Sequence, residues 1–176
     1  MYLLGELTGM KVFDGAGVDI GLVDGLNFVY PEYRVLDVYF RVVGEKMSEI
    51  RNRRLEFIPL GEVDLIDENV RLYKDIDSLN PVIKNIDLEY VHMVFRAREL
   101  VGEDVISFDG INLGEIVDVG IGKRDRKPSL IVKGPRISAI RGRDTEAIPF
   151  EEVIEIGDEV HINLQYDMLA KSVKER

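Results

Sequence analysis

"SEIRNRRLEFIP" at residues 48–59 and "SAIRGRDTEAIP" at residues 138–149 share the pattern S-x-I-R-x-R-x-x-E-x-I-P. Working outward, the match lengthens. "FIPLGEV" at 57–63 pairs with "AIPFEEV" at 147–153. "ELTGMKV" at 6–12 pairs with "ELVGEDV" at 99–105. "DIGLVD" at 19–24 pairs with "NLGEIVD" at 112–118, setting Gly21 opposite Gly114. The offset is 93 in the early blocks and 90 in the later ones, so three residues are missing in between. A hairpin loop is where such a loss is tolerated. The period is too long for a solenoid unit, and the chain reads as a tandem duplication of one small domain. The expected division is residues 1–75 as the first copy, 76–97 as a packed connecting segment, and 98–176 as the second copy with its tail.

Each copy reads as β structure. "RVLDVYFRVV" at 34–43 is rich in Val, Tyr and Phe and partly alternates. "GLVDGLNFVYPEYRVLDVYF" and "GEIVDVGIGKRDRKPSLIVKG" each suggest two strands around a polar turn. Many short strands with regular turn signals predict a small barrel, which removes sheet edges by closing on itself. The prolines of the Ile-Pro pairs belong at strand ends, because proline donates no ladder hydrogen bond. Gly21 and Gly114, inside strand patterns, predict a bulge or sharp bend. The tail "DMLAKSVKER" at 167–176, with Asp167 as N-cap and basic residues at its end, predicts a short helix.

Composition narrows the function classes. The 176-residue chain is 45% hydrophobic and carries a net charge of −10. Both halves are acidic, which disfavours long-range steering toward nucleic acid. With no cysteine and two histidines, His92 and His161, a disulfide scaffold or a His-rich zinc site is not expected. No stretch is long and apolar enough for a membrane span, and no signal peptide is read, so a cytoplasmic protein is expected. "VGIGKRD" at 119–125 and "GAGVDIG" at 15–21 miss the phosphate-loop and dinucleotide spacings and read as turns. No nucleophile elbow or metalloprotease motif is present, and the Asp/Glu pairs recur at turn positions. The chain is read as a non-enzyme with no cofactor and no metal site.

The G-x₄-D-x₆-G opening and the later I-P-[LF]-x-E-V-x-x-[IV]-[GD]-[DE]-x-V block resemble the PRC-barrel domain, found in the photosynthetic reaction centre H subunit and in the C-terminal domain of the ribosome maturation factor RimM. The second copy, with "AIPFEEV" and "GDEV", is close to the usual form. The first departs from it at Gly61 and at "IDEN". The resemblance covers about residues 5–74 and 98–164. It implies a mainly β fold of two tandem PRC-type barrels with a short C-terminal helix. It also implies an archaeal adaptor of FtsZ-based cell division that binds a SepF-like membrane anchor or another PRC-barrel protein, recruited to the division site through that partner. The alternative within the family is a ribosome maturation or RNA-associated factor.

Two basic clusters are candidate partner-binding sites. Arg51 and Arg53, and Arg141 and Arg143, recur at equivalent positions and suit phosphate or a carboxylate-rich partner. Structural ion pairs with Glu56 and Glu146 are the commoner use of such charges. Lys123, Arg124, Arg126 and Lys127 crowd one turn of the second copy. It lacks the interleaved aromatic residues of a base-stacking surface, so a solvated hairpin tip outweighs an RNA contact. His92 and His161 fall in strand patterns and read as packing or interface residues. The connecting segment carries more apolar residues than a linker needs. Ile83, Ile86, Leu88, Tyr90, Met93 and Phe95 are therefore expected between the barrels or in a symmetric homodimer interface.

Overall fold

The computed structural model describes residues 1–29, 37–51, 55–84, 94–166 and 169. The elements of the first part of the chain are β1 (Tyr2–Leu3), α1 (Leu4–Leu7), β2 (Lys11–Phe13), β3 (Asp19–Val29), β4 (Asp37–Val43), α2 (Glu45–Arg51), β5 (Leu55–Pro59), β6 (Val63–Ile66), β7 (Val70–Leu72), α3 (Ile76–Lys84) and β8 (Val94–Arg96). The second part carries β9 (Asp104–Ile106), β10 (Asn112–Ile121), β11 (Pro128–Lys133), α4 (Pro135–Arg141), β12 (Thr145–Pro149), β13 (Val153–Ile156) and β14 (Val160–Ile162). They form two compact units, Leu4–Ala97 and Arg98–Arg176 with Met1–Leu3. Each contains one seven-stranded sheet.

The alternation in β4 decides which face is buried. Val38, Phe40 and Val42 are buried, while Tyr39, Arg41 and Val43 are half-buried. Phe40 stands between Leu26 of β3 and Ile58 of β5 in one cross-strand row. The second unit repeats that row with Val119, Leu130 and Ile148. All six side chains are at most 1% exposed, and each contributes roughly 1.5–3 kcal/mol of hydrophobic stabilisation.

The sheets run β5-β4-β3-β2-β7-β6 and β12-β11-β10-β9-β14-β13. Among the described residues the end strands, β5 with β6 and β12 with β13, do not pair, so the hydrogen-bond ring expected of a closed barrel is left open. The reason lies in the Ile-Pro pairs. Pro59 and Pro149 end their strands and lead directly into 3-10 turns at Leu60–Glu62 and Phe150–Glu152, where a residue without N–H cannot extend a ladder. The expected bends are present. Gly21 has φ +147° and Gly114 φ +138°, and strand register shifts beside both. Each packs against a second glycine. A Cβ on Gly44 or on Gly134 would lie 2.7 Å from the Cα of Gly21 or Gly114, a distance real side chains do not tolerate.

The opening motif is only half strand. Ser48–Arg51 and Ser138–Arg141 are the last turns of α2 and α4. Their anchors are Met47 and Ile137, 0% and 1% exposed. The α4 helix stops because Gly142 adopts a left-handed φ of 64° and donates its N–H to the Ser138 carbonyl at 2.9 Å. In the second unit Arg141–Arg143 is thus a helix exit, and strand begins after it at Thr145.

The segment after β7 joins its own sheet through a helix. Asp14, 3% exposed, accepts hydrogen bonds at Oδ1 from the N–H groups of Ala16 and Val18 and at Oδ2 from that of Ile76. It ties the β2–β3 turn to the start of α3. Asp75 caps α3 by accepting from the Ser78 N–H at 2.8 Å. Leu79 and Ile83 are buried on its inner side. In the second unit Tyr166 and Leu169 occupy the positions of Ile76 and Leu79, and Leu169 is 6% exposed.

The first strand of each copy lies in the other unit. Tyr2 and Leu3 of β1 pair antiparallel with Ile121 and Gly120 of β10. Phe95 and Arg96 of β8 pair with Phe28 and Asn27 of β3. At the offset of 93, Tyr2 corresponds to Phe95 and Leu3 to Arg96, while Asn27 corresponds to Gly120 and Phe28 to Ile121. The two docks are therefore the same dock in the same register, with their strands traded.

Candidate interaction surface

The second-unit arginine motif resolves into an ion pair. Arg143, just after the α4 cap, reaches Glu146 on β12 at 2.6 Å, with side-chain exposures of 64% and 11%. Glu146 stands opposite Val132 in the sheet, on the inward side of the strand that carries Ile148. The repeat therefore places a carboxylate at the rim of the sheet interior, and Arg143 neutralises it. In the first unit Glu56 holds the same register opposite Val42 and is 3% exposed. Arg53 lies outside the described residues, as do the side chains of Arg51 and Arg141.

The basic turn joins β10 to β11. Its backbone is set by Asp125, whose Oδ1 accepts the Lys127 N–H at 3.2 Å, and by Arg126, which adopts a left-handed φ of 55°. The four cations are used unequally. The Lys127 ammonium bonds Glu151 at 2.5 Å, and that hydrogen bond raises its pKa. Lys123 sits 5.1 Å over the ring of Tyr2 on β1. Arg124 is exposed. Among the described residues, Arg143 and the basic turn lie at opposite ends of β11, which pairs with Thr145 at Lys133 and begins at Pro128. Among the described residues, no group of acidic, histidine or cysteine side chains is arranged to hold a metal.

The apolar candidates divide as well. Ile83, on α3, is 1% exposed. Phe95 is half-buried on β8 opposite Phe28. Ile86, Leu88, Tyr90 and Met93 lie outside the described residues, as does His92. His161 lies on β14 with its ring 3.6 Å from Glu159.

Sequence reasoning missed an exposed apolar pair. Phe108 is 64% exposed and Ile154 54%. Phe108 follows β9, and its N–H bonds the Leu164 carbonyl just beyond β14. Ile154 lies in β13, whose first residue, Val153, pairs with Ile162 at the end of β14. Both residues thus belong to the end of the sheet where β9 and β14 finish. The equivalent residues of the first copy are Gly15 and Asp64. Subtracting one copy from the other would have exposed this signal.

Residues 93–169 match the family model of the PRC-barrel domain. No curated protein matches the chain. Thirteen chains of solved structures do. One is a 16S ribosomal RNA processing protein, RimM, from Pseudomonas aeruginosa, 14% identical over 81% of this chain and 98% of that one, with a TM-score of 0.35. A likeness at that score carries no argument about function. No described helix is long and apolar enough to cross a membrane.

Proposed function

We propose that this chain, whose residues 93–169 match the PRC-barrel family model, is a non-enzymatic interaction adaptor that meets its partner through the second unit. PRC-barrel domains mediate protein interactions. The observation that carries the reading is the pair Phe108 and Ile154, 64% and 54% exposed, the two most exposed large apolar side chains among the described residues of their unit. The partner class follows from the family resemblance: a SepF-like anchor of an FtsZ-based division machinery, or another PRC-barrel protein. Recruitment to the division site would then run through that partner.

A second reading takes the basic turn as an RNA contact in ribosome maturation. The exposed Arg124 favours it, whereas Lys127 and Lys123 are already engaged by Glu151 and Tyr2. Affinity capture from native cells followed by mass spectrometry separates the two. Division proteins retained by the wild type and lost from Phe108→Asp support the adaptor. Ribosomal proteins retained by Phe108→Asp, and lost when Lys123, Arg124, Arg126 and Lys127 become Ala, overturn it. RNA binding of that second kind also weakens steeply with salt.

A further inference from the structure

We infer that the dock on β10 for Met1–Leu3 is a strand-acceptor site, and that a second copy of this chain fills it in a strand-exchanged assembly. This inference is independent of the adaptor reading, because it rests on the chain's own pairing.

Three observations carry it. First, the two docks are interchangeable in form. Each takes a short antiparallel strand whose aromatic residue, Tyr2 or Phe95, stands opposite Ile121 or Phe28. Second, the acceptor is built around its occupant. Gly120 leaves room for Met1, since a Cβ there would come within 2.6 Å of the Met1 Cγ. Lys123 covers the Tyr2 ring. Third, the junctions have no slack. β1 ends at Leu3 and α1 begins at Leu4, while β8 ends at Arg96 and a 3-10 turn begins at Ala97. A strand that passes from one unit to the other without a linking residue is the arrangement that favours exchange between molecules, since the same contacts form whichever copy supplies the strand. A closed pair of chains, each lending Met1–Leu3 to the other, loses none of the pairing seen in one chain.

The test uses the absence of native cysteine. Directly opposed antiparallel residues have Cα atoms about 4.5–5.5 Å apart, within the span of a disulfide. One tagged full-length copy carries Tyr2→Cys and another carries Ile121→Cys. The two are unfolded, mixed, refolded at high concentration and oxidised. Exchange predicts a disulfide between the copies about tenfold above a control mixture of Tyr2→Cys with Glu155→Cys. It also predicts that a Gly-Ser insertion between Leu3 and Leu4 lowers the yield, because slack favours closure within one chain. No link above the control, while a single chain carrying both Tyr2→Cys and Ile121→Cys closes its own bond, overturns the inference. So does a double variant that fails to close. Should the variants not fold, native mass spectrometry of isotopically light and heavy wild-type chains refolded together decides. Mixed dimers support exchange, and monomers alone refute it.

Discussion

The two copies keep one scaffold and differ sharply at the turn that follows β2 and β9. In the first unit the residue after Asp14 is Gly15, and a Cβ there would meet the Tyr73 carbonyl oxygen at 2.5 Å. In the second unit that position is Phe108, 64% exposed, although its N–H keeps the equivalent bond to the Leu164 carbonyl. The turn-to-helix tie changes in step. Asp14 performs it alone in the first unit. In the second, the Ser107 hydroxyl donates to Asp109 at 2.6 Å, and Asp109 accepts the Tyr166 N–H. Glycine crossings, core rows and strand docks are reproduced, while turn and surface are rewritten. Packing constrains the former and water tolerates change in the latter.

The crossings should show the largest effects, and nearly equal ones. Gly44→Val and Gly134→Val each drive a side chain into the opposing glycine backbone. Each should cost more than about 4 kcal/mol, seen as loss of the folding transition in denaturant titration. A tolerated Gly134→Val would break the equivalence. The ties come next and should differ. Asp14→Ala removes a buried carboxylate serving three N–H donors and should cost about 2–3 kcal/mol. Ser107→Ala removes a hydroxyl whose neighbour Asp109 still holds Tyr166, and should cost about 1 kcal/mol. Equal losses would erase the distinction.

Phe108→Asp should leave stability within about 0.5 kcal/mol of wild type while removing partner capture. Gly15→Phe, the reverse graft, should unfold the first unit's turn. The smallest effect is a pH dependence confined to acid. The Ser107 hydrogen bond holds Asp109 below the usual aspartate value of 3.8, and the Ser78 N–H does the same for Asp75. Groups with depressed folded values stabilise the protein above 3.8 and lose that contribution as pH falls through their folded values. Amide exchange at Tyr166 should therefore quicken only below that range, and Asp109→Asn should abolish the step.

Much of this was legible in the sequence, and the reasons are physical. Offsets of 93 and 90 expose the duplication, because core rows and glycine crossings admit few substitutions. The place of the lost residues is legible too: the change falls between Val29 and Asp37, opposite the short turn from Gly122 to Lys127. Three features were hidden. The helix at Ser138–Arg141 gave no signal because one buried apolar residue, Ile137, suffices to seat two turns, too little for a periodic pattern. The open ring was hidden because composition does not say whether two end strands pair. The traded strands were hidden because pairing partners of equal pattern cannot be told apart from pattern alone. Of the candidate sites, Arg143 with Glu146 was foreseen as one of two readings, whereas Phe108 showed itself only by its exposure in the structure.

The most direct measurement of the central claim, one fold written twice with its first strands exchanged, is a set of cross-strand nuclear Overhauser contacts in the full-length chain. The account predicts contacts from Tyr2 to Ile121 and from Phe95 to Phe28. Contacts from Tyr2 to Phe28 and from Phe95 to Ile121 would mean that each copy keeps its own strand, and would contradict it.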